Sequence, residues 1–218
     1  MIEITDLRKE YKTNSGTVTA LNGLTMKVNP GQRIGLLGNN GSGKSTLIRL
    51  IGGIEVPTSG KITRRMSVSW PLAFRGGFQN ELSAYGNLRF LARVYDRPYE
   101  EIADFVEDFT ELRLRLKDPV YTYSSGMRAK LSFGVSLAFE FDCYLIDEVL
   151  AVGDAQFRRK CRIELFEKRQ DRSILMVSHQ ARSIQEACTL GLLLQNGNCV
   201  ETFDIKSDKS WRRYTKSD

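Results

Sequence analysis

Gly38-Asn39-Asn40-Gly41-Ser42-Gly43-Lys44-Ser45 is the stretch that decides the fold, because it satisfies the pattern G-x-x-x-x-G-K-[ST]. The pattern carries weight only in the right surroundings, and the flanking residues supply them. Arg33-Ile34-Gly35-Leu36-Leu37 reads as a short buried strand leading into the loop. Leu47, Ile48 and Ile51 then recur at helical spacing until Gly52-Gly53 stops them. Between strand and helix, glycines let the backbone curl so that its N–H groups point inward around phosphates, and the positive end of the helix dipole favours their charge. The reading predicts that Gly38, Asn39, Asn40, Gly41, Ser42, Gly43, Lys44, Ser45 and Thr46 cradle a nucleotide. Lys44 is expected to reach the β- and γ-phosphates and the Ser45 hydroxyl to ligate Mg²⁺. The competing reading is an accidental glycine-rich turn, which the strand and helix flanks count against.

Upstream, Ile2 and Ile4 alternate with polar residues, and Val18 to Leu21 leads through Leu24 to Val28 to a Pro30-Gly31 turn, a pattern of strands. Downstream, from about 85 to 140, Leu88, Leu91 and Val94, then Ile102, Phe105, Val106 and Phe109, then Leu131, Val135 and Ala138 recur at three-to-four spacing. That block is expected to be a helical insert. Tyr144-Leu145-Ile146, Ile174 to Val177 and Leu192 to Leu194 follow as strands separated by helical segments, and a last strand ends near Phe203. Such alternation belongs to an α/β fold with a mostly parallel sheet. The last dozen residues are polar, which fits a frayed end.

Composition narrows the class. Hydrophobic residues at 41% and charged residues at 27% over 218 residues fit one globular domain and exclude a disordered or fibrous chain. The longest apolar stretches fall far short of the roughly 20 residues a spanning helix needs. Charges in the opening MIEITDLRKEY stand where a signal peptide would be apolar, so the chain is expected to stay in the cytosol. Cys143, Cys161, Cys188 and Cys199 form no CxxC pair and read as reduced structural thiols. The net charge of +6 comes from scattered basic residues and reads as a solvated surface rather than a nucleic-acid footprint.

Two further sites follow the same logic. Asp147-Glu148 ends the apolar strand Tyr144-Leu145-Ile146, and a carboxylate at the end of a buried strand beside a phosphate loop is the Walker B arrangement. Asp147 is expected to hold Mg²⁺, and Glu148 to polarise the attacking water as a general base. His179, the single histidine, follows the strand Ile174 to Val177. Open α/β sheets place ligands at that end of their strands, so His179 is expected to contact the γ-phosphate.

With these residues in place, the sequence resembles the ATP-binding cassette family over almost its whole length. Tyr123-Ser124-Ser125-Gly126-Met127 stands where the family carries LSGGQ and departs from it at three positions. It keeps the Ser124 hydroxyl and the Gly126 N–H, both suited to a γ-phosphate. Tyr11 stands where the family carries an aromatic that stacks on adenine; a solvent-facing strand tyrosine is the alternative. Gly153-Asp154 matches the segment through which two cassettes communicate, which adds Asp154 to the expected nucleotide-binding set. The resemblance implies a P-loop NTPase cassette over 1–218, with a mostly parallel core sheet, an N-terminal antiparallel β subdomain and the helical insert. It also implies that two copies sandwich two ATP molecules and drive separate membrane-spanning subunits.

Ser69-Trp70-Pro71-Leu72-Ala73-Phe74, the Tyr-Ser-Ser-Gly-Met variant and the run Phe141 to Asp154 further resemble bacterial capsular-polysaccharide export ATPases. That resemblance implies as partners a second copy of the chain, two copies of a multispanning permease and further envelope-spanning components, with no nucleic acid. It places the chain on the cytoplasmic face of the inner membrane. Gln79 lies only three residues before Leu82-Ser83, closer than the family's metal-touching glutamine, while Trp70 to Asn87 is expected to form the dock for the permease. A soluble cassette protein acting on ribosomes or nucleic acid, and a P-loop kinase, stand as the rival readings. The kinase explains Gly38 to Ser45 but not Ser124, Gly126, Glu148 or His179.

Overall fold

A computed structural model describes residues 1–72, 77–147, 153–178, 180–206 and 211. They divide into two compact units, the first made of Met1–Pro71, Phe141–Glu148 and Gln170–Asp218, the second of Leu72–Glu140 and Val149–Arg169.

The first unit holds two sheets with a helix between them. Strand β1 (Ile2–Thr13) turns through Asn14-Ser15 into the antiparallel β2 (Gly16–Val28), and β4 (Ser59–Arg64) pairs along the other edge of β1. Alternation buries Ile2 and Ile4; the pairing then slips by a bulge, so that Leu7 rather than Asp6 takes the next buried position. The second sheet runs in the order β5 (Val68–Pro71), β6 (Cys143–Asp147), β7 (Ser173–Val177), β3 (Arg33–Leu37), β8 (Leu190–Gln195), β9 (Asn198–Asp204). Its first five strands are parallel, and β9 returns antiparallel to β8. The return is made by Asn196-Gly197, whose φ values of 50° and 75° are those of the tight turn that this dipeptide favours.

Helix α1 (Lys44–Ile51) buries Leu47, Ile48, Leu50 and Ile51 in a core with Ile2, Ile4 and Leu7 of β1, Leu21 and Leu24 of β2, and Leu36, Leu145, Leu175 and Val177 of the parallel sheet. Burying each such side chain stabilises the fold by about 1.5–3 kcal/mol, so the loop preceding α1 hangs from a fixed support. In the register Asp147 pairs with Val177 and Leu36 with Val177, so Gly38, Asp147 and Ser178 come off the same edge of the sheet.

The second unit gathers α2 (Ala84–Val94), α3 (Tyr99–Thr110), α4 (Ser125–Ala138) and α5 (Ala155–Arg162), the last running on into one π turn at Ile163–Glu167. It thus contains the helices expected over about 85–140 together with a stretch not expected there. Phe157 of α5 reaches this core edge-on to Phe109 and Phe133, with ring centroids 5.3 and 6.3 Å away. The short α6 (Ala181–Ala187) belongs to the first unit. All four cysteines are free thiols, as expected of reduced structural residues; Cys143, Cys161 and Cys188 are buried, with their thiol pKa pushed up to about 12 by desolvation, and Cys199 is half-buried. Among the described residues no helix is long and apolar enough to cross a membrane.

Candidate nucleotide site

The loop after β3 carries the geometry its glycines predict. Gly38, Gly41 and Gly43 have φ of +137°, +79° and +102°, and Gly43 caps α1. The opening N–H groups of a helix have no partner within it, so those of Lys44, Ser45 and Thr46 are donors directed at whatever the loop encloses. Asn39, Asn40 and Gly41 form the exposed rim, whereas Ser42 and Thr46 are buried. Ser42 Oγ is buried beside Gly38 and has no hydrogen-bond partner among the described residues.

Two contacts show how the loop's reactive groups are held. Lys44 Nζ donates to the carbonyl oxygens of Gly38 and Asn39 at 2.7 and 2.9 Å, so the ammonium folds back over the loop where phosphate oxygens would replace those carbonyls. The Ser45 hydroxyl donates to Asp147 Oδ1 at 3.0 Å, joining residues 102 positions apart. Asp147 reaches that point because β6 is parallel to β7 and β7 to β3, so strand end and loop share one edge. A hydroxyl and a carboxylate are hard oxygen donors of the kind Mg²⁺ takes in small number beside a nucleotide, so the pair fits that ion. Glu148 and His179 lie outside the described residues.

Tyr11 is half-buried, and its hydroxyl donates to Glu55 Oε2 at 2.5 Å. Lys9 Nζ stands 5.0 Å from its ring centroid, so Tyr11 is not a tyrosine simply facing solvent. Nothing local marks Glu55, because its contact with Tyr11 spans 44 residues and joins β1 to the turn after α1.

In the second unit, Ser124 caps α4, its Oγ accepting from Met127 N at 3.2 Å. Ser124, Ser125 and Gly126 are all exposed, which leaves the helix tip open to a ligand from outside the chain. The preceding Tyr123, where the family pattern has leucine, is buried and donates to Arg115 O at 2.6 Å. Burial pushes its hydroxyl up to about 12, so it stays a neutral donor. Asp154 caps α5 by accepting from Phe157 N at 2.8 Å and pairs with Lys130 Nζ of α4 at 3.0 Å. Those two interactions, the backbone bond first, hold its carboxyl down at about 2. Gln79 is bound through its backbone to the Asn87 amide, which accepts from Gln79 N at 2.8 Å and donates to Gln79 O at 3.0 Å. Residues 73–76 of the expected dock lie outside the described ones.

A glycine loop passing from a parallel strand into a helix, with its serine bonded to the carboxylate of a neighbouring strand end, defines a P-loop nucleotide-binding protein. Comparison with known proteins narrows the class. The family model described as ABC transporter matches residues 21–151. ATP-binding protein BexA of Haemophilus influenzae is 49% identical over 100% of this chain and 99% of its own. Capsule polysaccharide export ATP-binding protein CtrD of Neisseria meningitidis serogroup B is 50% identical over 98% of each chain. Polysialic acid transport ATP-binding protein KpsT of Escherichia coli is 43% identical over 94% of this chain and 92% of its own. Among solved structures, the dimeric post-hydrolysis ATP-binding cassette MJ0796 bound to ADP and Pi matches the fold with a TM-score of 0.79, at 17% identity, over 95% of this chain and 100% of that one. The chain belongs to the ABC transporter family.

Proposed function

We propose that this chain is the ATP-hydrolysing subunit of an ABC exporter that moves capsular polysaccharide across the bacterial inner membrane. The observation that carries the hydrolytic part is the Ser45–Asp147 hydrogen bond of 3.0 Å, which assembles a hard-oxygen pair beside the phosphate loop. The polysaccharide part rests on the names of CtrD and KpsT.

On this reading both units form one cassette. Lys44 leaves its two carbonyl partners for the β- and γ-phosphates, and the N–H groups of Gly41 to Thr46 surround them. Ser45 and Asp147 would hold Mg²⁺, which when bound offsets the negative charge of the phosphates. Glu148 accepts a proton from the water that attacks the γ-phosphorus, His179 contacts the γ-phosphate, and the products are ADP and phosphate. Tyr11 stacks on adenine. The exposed tip Ser124 to Gly126 of a second copy covers the γ-phosphate, and Asp154 lies near that contact. Two permease copies take up the resulting movement at the cytoplasmic face of the membrane, with envelope-spanning components beyond them. Nothing in the relatives' names supports work on ribosomes or nucleic acid.

The test replaces Glu148 with Gln. ATP binding is expected to persist while turnover falls by roughly 10²-fold or more, as loss of a general base implies. In a capsulated strain deleted for its own export ATPase, the wild-type chain should restore surface polymer and the variant should not. Near-normal hydrolysis would contradict the assigned base, and failure of the active wild-type chain to restore polymer would contradict the substrate.

A further inference from the structure

The first unit contains a chain of side-chain contacts that runs from Tyr11 to the phosphate-binding helix. Alternation along β1 puts Leu7, Lys9 and Tyr11 on one face, with Leu7 buried and the other two half-buried. After α1 the backbone doubles back through Gly52-Gly53, and the N–H groups of Ile54 and Glu55 both reach Arg49 O, at 3.0 and 3.4 Å. That turn brings Glu55 against β1.

Each Glu55 oxygen then takes a different partner. Oε2 accepts from Tyr11 Oη at 2.5 Å, and Oε1 accepts from Arg49 Nε at 2.6 Å. Lys9 Nζ stands 3.5 Å from Oε2, donates to Val56 O at 2.9 Å and lies over one face of the Tyr11 ring. Arg49 extends the chain inward, its Nη2 lying 3.4 Å from Thr46 Oγ1 in the first turn of α1. The Glu55 side chain is only 22% exposed, and burial alone would favour its neutral form. The bonds from Tyr11 and Arg49 outweigh burial and hold the carboxyl below its ordinary value, so Glu55 stays charged and bonded to both.

We propose that Glu55 and Arg49 are positioning residues for the adenine base: they hold the Tyr11 ring in a fixed place relative to the phosphate-binding helix, with Lys9 on one ring face and the base on the other. The inference rests on the reading of Tyr11 as the adenine-stacking residue. It adds that the base contact and the phosphate contact of one nucleotide are set by a single connected network. A tyrosine tied at its hydroxyl has lost its freedom before the base arrives, so less ordering remains to be done on binding.

The experiment compares two ligands of the full-length chain by calorimetric titration: ATP, and inorganic tripolyphosphate, which has no base. Tyr11→Ala is expected to weaken ATP by about tenfold, the upper end for one aromatic contact, and to leave tripolyphosphate unchanged. Tyr11→Phe, which deletes only the hydroxyl, and Glu55→Ala are each expected to weaken ATP about three- to fivefold with tripolyphosphate again unchanged, and the double variant to do no more than either alone. Glu55→Gln keeps one oxygen that accepts from Tyr11 but sets an N–H₂ group against the Arg49 guanidinium in place of the other, so it should recover only part of the loss.

Wild-type ATP affinity in both Tyr11→Phe and Glu55→Ala, or weakening of tripolyphosphate as much as ATP, would overturn the proposal while leaving stacking intact. Unchanged ATP affinity in Tyr11→Ala would remove stacking itself, and the proposal with it. Should Glu55→Ala fold poorly, Tyr11→Phe gives the same answer alone, since it removes one oxygen from a half-buried ring.

Discussion

Replacing Gly38 and Gly41 by alanine, one at a time, perturbs the same loop in two different ways. Both have positive φ, +137° and +79°, so each alanine carries backbone strain; a left-handed residue costs about 1–2 kcal/mol. At Gly41 none of the described residues lies within 4 Å of an added Cβ, and the cost is strain alone with respect to them. At Gly38 the Cβ would stand 2.2 Å from Leu194 O and 2.7 Å from Ser42 Oγ, whereas ordinary contact begins at 3.4 Å. The Leu194 carbonyl is backbone of β8, which is paired with β3 on one side and β9 on the other, so it cannot withdraw by the required ångström. Overpacking of this kind adds about 1–3 kcal/mol, giving about 2–5 kcal/mol for Gly38→Ala against about 1–2 for Gly41→Ala. For a chain of this length a gap of about 2 kcal/mol separates the melting temperatures by about 4–8 °C. Thermal unfolding of the two variants beside the wild type measures that gap. Equal losses would refute the reasoning, because they would mean that the sheet beside the loop yields.

Asp147→Asn keeps an oxygen for the Ser45 hydroxyl and removes the charge. Half-maximal ATP hydrolysis should then require at least about tenfold more Mg²⁺, as loss of an anionic ligand implies; an unchanged Mg²⁺ titration would contradict Asp147 as a ligand. Glu164 is buried in the π turn, where Lys168 Nζ lies 2.5 Å and Arg169 Nη1 2.8 Å from its two oxygens. Burial opposes its charge, yet those two cations hold the carboxyl below its ordinary 4.5. A depressed folded value means stability that is present above the unfolded value and lost as pH falls through the folded one. Urea stability should therefore decline below pH 4.5, and Glu164→Gln should flatten that decline. An identical slope in the variant would show that Glu164 is not the source.

The parts of the fold that the sequence made legible are those written in local pattern. The run Arg33 to Leu37, the glycine loop and the spacing of Leu47, Ile48 and Ile51 each announce one element, and β3 and α1 follow them closely. The apolar runs at 144, 174 and 192 likewise became β6, β7 and β8. What depends on distant pairing was hidden. Strand β5 has four residues and owes its place to β6, to which Ser69 Oγ is bonded as acceptor from Leu145 N at 3.0 Å. Val149–Arg169 joins the helical unit through Phe157 and the Lys130–Asp154 pair, neither of which has a local signature. The same holds at the site. The loop and Asp147 were readable because a motif carries them, whereas Arg49 and Glu55 look like ordinary surface charges until the turn after α1 sets them against Tyr11.

Sedimentation velocity of the Glu148→Gln chain, with and without Mg²⁺ and ATP, tests most directly whether two copies close over the nucleotide. The account predicts a monomer without ATP and a dimer with it. It also predicts that Gly126→Asp abolishes the dimer while ATP still binds. Among the described residues only Ser124 Oγ, at 4.0 Å, lies within 4 Å of an added Cβ there, so the substitution clashes with none of them but sets a carboxylate against the partner's γ-phosphate. A chain that stays monomeric at saturating ATP, or a dimer indifferent to Gly126→Asp, would contradict it.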